Sequence, residues 1–390
     1  MIVGGTHALL PGGTRREMVF ELDEFGVIRK IRPWALSDPD LFEGMVVPAL
    51  VNAHTHLELS ALKGKVPGGE GLVRWVGSLL RERLLAEPGG ATDAAADLVR
   101  LGVGVVCDIS NSGDTVPALQ SARLSGLVQR ELLTLDAGLL QVRIREACEP
   151  DATFAEEGQK ILLRPSPHAL YSTAPALVKA SVYGREERDV ARPPASIHLA
   201  EDAEEIRFLR DGTGAWASFL DRAGIDWRWW TAPGGSPVEL LSELGVLGPD
   251  LLLVHGVHLT PQDRALIARS GATVVLCPRS NRHIHGNLPE AAALVDNGVH
   301  IALGTDSLAS SPDLDVLGEI PVLGAAFPSV DPLVWLRAAT EGGAQALRFG
   351  AGRLEVGTSP GLLLLENVER AEQLVDRAPA RRWLMRPRYA

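Results

Sequence analysis

Eight short apolar runs along the middle of the chain, most of them separated by amphipathic stretches, limit the possible folds more than any other feature of the sequence. They occupy residues 47–53, 103–109, 126–132, 161–164, 195–198, 251–255, 273–277 and 300–304. Strands buried on both faces read as continuous apolar runs, which is the habit of parallel sheets covered by helices. Intervening segments such as 78–85 and 261–269 carry helical periodicity. Eight β/α units over roughly 250 residues is the size of a (β/α)8 barrel, with a doubly wound open sheet as the competing arrangement. Both ends of the chain read as β-rich. Residues 18–22 and 27–31 flank the turn sequence DEFG, and the stretch 352–366 (GRLEVGTSPGLLLLE) again places a turn before an apolar strand.

Polar residues capable of chemistry follow these runs at their C-terminal ends. His54 and His56 close the first, His168 follows the fourth, His198 and Glu201 the fifth, His255 the sixth and Asp306 the eighth. In a barrel all of these ends open on one face, so seven residues distant in sequence meet in one mouth. Side chains at i and i+2 of a strand point the same way, which lets His54 and His56 converge on one ion. Three imidazoles and a carboxylate (His54, His56, His198, Asp306) form a nitrogen/oxygen set suited to a divalent ion such as Zn²⁺, with Fe²⁺ or Mn²⁺ as alternatives. A position left for water then yields hydroxide near neutral pH. Glu201 is placed to shuttle a proton, and His255 to orient water or polarise a substrate.

The balance of 38 Lys and Arg against 49 Asp and Glu gives a net charge of −11 and no basic block, which disfavours nucleic-acid binding. Cys107, Cys148 and Cys277 are scattered without a pairing framework, as in a reduced cytosolic setting. The N-terminus lacks the pattern of a signal peptide, and no apolar run is long enough to span a membrane. The expected partner is a small molecule.

The ordered set VNAHTH, HLAE, VHGVHL and GTD resembles the amidohydrolase superfamily, in particular its mononuclear aminohydrolase branch of purine and nucleoside deaminases and triazine chlorohydrolases. The resemblance implies a distorted TIM-type barrel over residues 47–351 and a small β-sandwich built from residues 1–46 and 352–390. It also implies His54, His56, His198 and Asp306 as metal ligands, and Glu201, His255 and Asp306 as the groups that move protons. ILLRPSPHALYS offers no lysine or acid to bridge a second metal, so one ion per chain is expected. A homodimer is compatible with this reading, and a catalytically dead scaffold is disfavoured because all four ligands and Glu201 are kept.

Substrate contacts are implied for Trp75, His168, Ser280, Asn281 and Ser310, with bracing of the site as the alternative for Ser280 and Asn281. Trp75 is equally readable as a core residue of an amphipathic helix. Nucleoside-deaminating relatives often carry an acid just before that tryptophan, where it binds ribose hydroxyls; here Val73 and Arg74 stand instead. Arg74 suits a substrate carboxylate, and the loops around residues 106–111 and 71–80 are similar to those of 6-aminodeoxyfutalosine deaminases of menaquinone biosynthesis. Methylthioadenosine/S-adenosylhomocysteine and guanine deamination and triazine dechlorination are the alternatives. His258 reads as structural. His283 and His285 face pocket or solvent with equal weight, and Trp227–Trp230 reads as a lid or an interface.

Overall fold

The computed structural model describes residues 1–86, 89–156, 158–184, 192–230, 232, 234–350 and 352–389. The expected domain-boundary residue 351 and the last residue, 390, lie outside that set. Fifteen strands follow in chain order: β1 (Ile2–Leu10), β2 (Gly13–Leu22), β3 (Ile28–Pro33), β4 (Phe42–Val47), β5 (Leu50–Thr55), β6 (Val103–Ser110), β7 (Ser125–Leu132), β8 (Ala152–Glu156), β9 (Gln159–Pro167), β10 (Ala195–Leu199), β11 (Leu251–His255), β12 (Thr273–Leu276), β13 (His300–Leu303), β14 (Leu362–Glu366) and β15 (Arg381–Met385).

Two parallel arcs, β5-β6-β7-β9 and β10-β11-β12-β13, carry all eight runs read from the sequence, in a TIM-barrel-like α/β fold. Among the described residues no continuous ladder encircles them. Single parallel bridges join the arcs instead, Ala169 to His198 on one side and Thr55 to Asp306 on the other. The expected first strand, 47–53, is in fact two. Pro48 and Ala49 interrupt it, so Val47 ends β4 in the terminal sheet while Leu50 opens β5. Proline cannot donate to a ladder, which makes it a natural break. Antiparallel β8, paired to β9, was not read from the sequence.

The termini do meet: among the described residues they form one hydrogen-bonded six-stranded sheet in the order β15-β14-β4-β1-β2-β3, and the expected β-sandwich does not resolve into two separate sheets. Asp23 organises its DEFG turn by accepting from the amides of Phe25 and Val27, each at 2.9 Å.

The strand alternation sorts the core. Val51, Ala53, Val105, Cys107, Leu252, Val254, Val275 and Ala302 pack into one buried cluster. Intervening residues such as Leu251, Leu253, Val274 and Leu276 join the larger cluster with the helices. Among the described residues no helix is long and apolar enough to cross a membrane.

The seam at the mouth is tight. A Cβ on Gly304 would lie 2.8 Å from His54 Cβ and 2.9 Å from its carbonyl oxygen. Gly304→Ala should therefore destabilise by about 1–3 kcal/mol, as overpacking does. Gly248→Ala, where nothing lies within 4 Å of the added carbon, should stay within about 0.5 kcal/mol. Paired denaturant unfolding curves give both values.

Candidate active site

His54 lies within β5 and is fully buried, His56 follows directly, and the pairing of β5 with β6 slips between Asn52 and Thr55. A bulge of this sort re-aims side chains, and the two rings end 4.9 Å apart. The amides of Thr305 and Asp306 donate to the His54 carbonyl at 3.0 and 3.1 Å, which brings the end of β13 against the end of β5. Asp306 Oδ1 then stands 3.5 Å from His56 Nε2 and 3.9 Å from His54 Nε2. From the opposite arc, the His198 amide bonds the His168 carbonyl at 2.9 Å, and its ring lies 5.0 Å from that of His54.

Two overlapping groups, His54/His56/Asp306 and His54/His198/His255, each have ligand atoms within 4.8 Å of one another. The donor set fits a divalent cation on three counts. Both ring nitrogens of buried His54 lack any hydrogen-bond partner, an arrangement that is costly unless a ligand takes a lone pair. His198 turns Nδ1 to the His168 carbonyl at 3.1 Å, which leaves Nε2 for the ion, the usual orienting contact of a metal-bound imidazole. Burial holds His54 and His198 below the usual imidazole range, and His56 and His255 down at about 3. The rings are thus neutral at physiological pH, as ligation requires. For Asp306, burial pushes the carboxyl up, while a bond from Ser280, and positive charge on His56 or His255 whenever either ring is protonated, draw it below the usual carboxylate range.

Ser280 and Ser310 were expected to touch substrate. The structure places both against Asp306 Oδ2, donating at 2.5 and 2.9 Å, so that Oδ1 alone faces the histidines. Asn281 likewise stands behind the site, its amide 3.0 Å from His255 Nδ1. None of the three lines the cavity. His255 Nε2 is 3.5 Å from Glu201 Oε2. Glu205, wholly buried, accepts from the amides of Ala200 and Glu201 at 3.0 and 2.9 Å and so fixes the loop that carries Glu201. Burial, reinforced by the charge of Asp306, pushes the Glu201 carboxyl well above the usual range. Ala200, His255 and Asp306 all adopt positive φ (51°, 75° and 56°), a conformation that costs non-glycine residues energy and that gathers at functional sites.

A cavity of about 500 Å³ opens above these groups. His56, His198, Glu201, His255 and Asp306 line its floor, and Trp75, Val76, Leu79, Leu135, Trp216 and Phe219 its walls. His168 and Trp75 line it, Trp75 being 7% exposed. Arg74 does not. It projects away from the cavity with its side chain 74% exposed, beside Glu70 at 3.6 Å, because adjacent helical positions face different ways. Arg83 is the cationic side chain that lines the cavity instead, bonded to Asn111 and Glu58 at 2.7 and 2.9 Å. His283 braces the Val66 carbonyl, and His258 and His285 are absent from the lining. Trp227 and Trp230 pack on Phe208, while Trp229 donates to the Leu135 carbonyl at 2.6 Å. Sequence reasoning missed Glu131, Tyr171 and Trp216, all cavity-lining. Glu131 obeys the same strand-end rule that located the histidines.

The Amidohydrolase family profile matches residues 45–381. The chain is 34% identical to the aminodeoxyfutalosine deaminase of Deinococcus radiodurans over 77% of its length and 72% of the relative's. It is 30% identical to a 5-methylthioadenosine/S-adenosylhomocysteine deaminase of Halobacterium salinarum over 83% and 73%. Among solved structures, the Helicobacter pylori aminofutalosine deaminase in complex with methylthio-coformycin superposes with a TM-score of 0.83 at 21% identity, over 100% of this chain and 99% of that one. An adenosine deaminase from Xanthomonas campestris with bound zinc gives 0.74 at 24% identity, over 97% and 89%.

Elemental analysis of the purified protein should find about one tightly held divalent ion per chain, and His54→Ala or His198→Ala should lose most of it. Two equally retained ions would overturn a mononuclear site.

Proposed function

This chain belongs to the amidohydrolase family and is a hydrolase of the deaminase type, and on that premise we propose that it removes the 6-amino group of an adenine nucleoside, with 6-aminodeoxyfutalosine as its preferred substrate. The observation that carries the reading is Glu201, a buried carboxyl that favours its protonated form, on a cavity floor shared with three neutral imidazoles and an ionised aspartate. Such a group is suited to protonate a ring nitrogen, the step that makes C6 of adenine electrophilic.

His54, His56, His198 and Asp306 would hold one divalent ion, most suitably Zn²⁺. When bound, such an ion supplies Lewis acidity that brings the pKa of water from 15.7 to about 7. Glu201 gives its proton to N1 of the purine while Asp306, through Oδ1, takes one from the attacking water. The new C6–O bond leaves a tetrahedral carbon bearing a hydroxyl and the amino group. Glu201, now a carboxylate, takes the hydroxyl proton and passes it to the amino nitrogen. The C–N bond breaks, ammonia departs and a carbonyl remains. Return of the Asp306 proton to Glu201 restores the starting state. His255, 3.5 Å from Glu201, orients the carboxyl through both proton transfers. Trp75 and Trp216 give the flat, apolar walls that a purine requires.

Two measurements test this. Glu201→Gln should keep its metal and its fold and lose at least about 10²-fold in rate, the usual worth of general acid–base catalysis. In kcat/KM, 6-aminodeoxyfutalosine should exceed adenosine and methylthioadenosine by more than about tenfold, and Arg83→Gln should erase that preference by removing the charge facing a distal carboxylate. Equal rates on the three compounds would leave a deaminase of adenine nucleosides without the futalosine preference.

A further inference from the structure

One carboxylate oxygen on the cavity wall has no donor. Glu131, near the end of β7, is a lining residue whose side chain is 8% exposed. Its Oε2 accepts from Asn111 Nδ2 at 2.9 Å. Asn111 is itself held by Arg83 at its side chain and by Glu58 at its amide, at 2.7 and 2.9 Å, so the direction of the Glu131 carboxylate is fixed by a chain of bonds. The other oxygen, Oε1, makes no hydrogen bond among the described residues. His198 Nδ1 stands 3.8 Å from it and His168 Nε2 4.0 Å, both beyond hydrogen-bonding reach.

Neither ring is free to swing toward it. His198 Nδ1 faces the His168 carbonyl at 3.1 Å, and His168 Nδ1 faces Ser172 Oγ at 2.5 Å. Glu131 Oε1 and His168 Nε2 therefore stand side by side on the cavity wall, with apolar Leu133 and Leu135 beyond them. A carboxylate oxygen that faces the cavity without a donor from the protein is open to a donor on a ligand. A pair of hydroxyls on adjacent carbons suits the two atoms, because a hydroxyl both donates and accepts. One meets the carboxylate oxygen as a donor, and the other meets the imidazole nitrogen in either role.

We propose that Glu131, together with His168, binds the vicinal hydroxyls of the substrate's sugar and is a specificity-determining residue of the enzyme. The inference rests on the reading of the substrate as a nucleoside. It gives this chain an acid for the sugar from the end of β7, whereas the positions before Trp75 hold Val73 and Arg74.

The test compares adenosine with 2′,3′-dideoxyadenosine on wild type and Glu131→Gln, by ammonia release and by calorimetric binding, with metal content measured on both proteins. Loss of the diol should cost wild type about ten- to hundredfold in kcat/KM, mostly as a rise in KM, the range expected of hydrogen bonds to a charged group. Glu131→Gln should lose a similar factor on adenosine, show little preference between the two compounds, and keep its metal. An equal loss on both compounds would overturn the proposal by showing that Glu131 acts on the chemistry. A fall in metal content would overturn it too, since Glu131, His168 and His198 also lie within ligating distance of one another. Diol-dependent binding without ammonia release would keep the sugar site and overturn the deaminase reading, while turnover indifferent to the diol would do the reverse.

Discussion

The backbone amides of Thr305 and Asp306 both donate to the carbonyl of His54, and the active centre depends on that shared acceptor. It joins the last strand of one arc to the first strand of the other where the ladder itself is reduced to a single bridge. Without it, the paired histidines of β5 and the aspartate beyond β13 would belong to separate sheets. Gly304 lets the two backbones approach this closely, and Thr55 adds a third tie by donating to the Asp306 carbonyl at 2.9 Å. A matching contact, from the His198 amide to the His168 carbonyl, joins the arcs on the other side. Both ties pass through residues of the polar mouth, so the contacts that join the arcs also position its chemistry.

The centre holds together against considerable local cost. Four imidazoles are crowded where burial removes their charge, and a carboxyl lies nearby in a setting that favours its proton. Asp306 remains ionised because two hydroxyls donate to one of its oxygens while neighbouring rings surround the other. Environments that push titratable groups apart in this way assign acid and base roles within one pocket. The surrounding helices make the arrangement rigid. Arg279, bonded to buried Glu319 and to Asp313, anchors the segment Pro278–Ile284 that carries Ser280 and Asn281.

Much of this was legible in the sequence. All eight barrel strands read as apolar runs, because a strand covered on both faces carries little else, and the mouth followed from the polar residues after five of them. What escaped was orientation. Ser280 and Ser310 fall at the right distance in sequence to reach a ligand, yet their hydroxyls turn inward to Asp306, and no spacing rule separates those outcomes. Arg74 and Trp75 are neighbours on one helix, so only one of them faces the cavity. Glu131 sits near a strand end as the histidines do, but the open side of its carboxylate becomes visible only once Asn111 and His168 stand beside it. The pairing order of the terminal strands escaped because neither strand content nor a family resemblance specifies which strands bond to which.

Asp202 has a consequence for adapting this scaffold to other substrates. One of its oxygens caps the helix Ala203–Asp211 directly after Glu201, and the other accepts from the Leu72 amide at the start of the helix that carries Trp75. The proton donor and the aromatic wall are thus bolted to one carboxylate. A graft that replaces the helix Leu72–Leu85 to admit a bulkier substituent will reach the catalytic loop unless the new segment offers its first amide to the same oxygen. Leu133, Leu135 and Leu139 also line the cavity and share no hydrogen bond with Asp202 or Glu201 among the described residues, so the pocket can be widened there with the reactive end left in place.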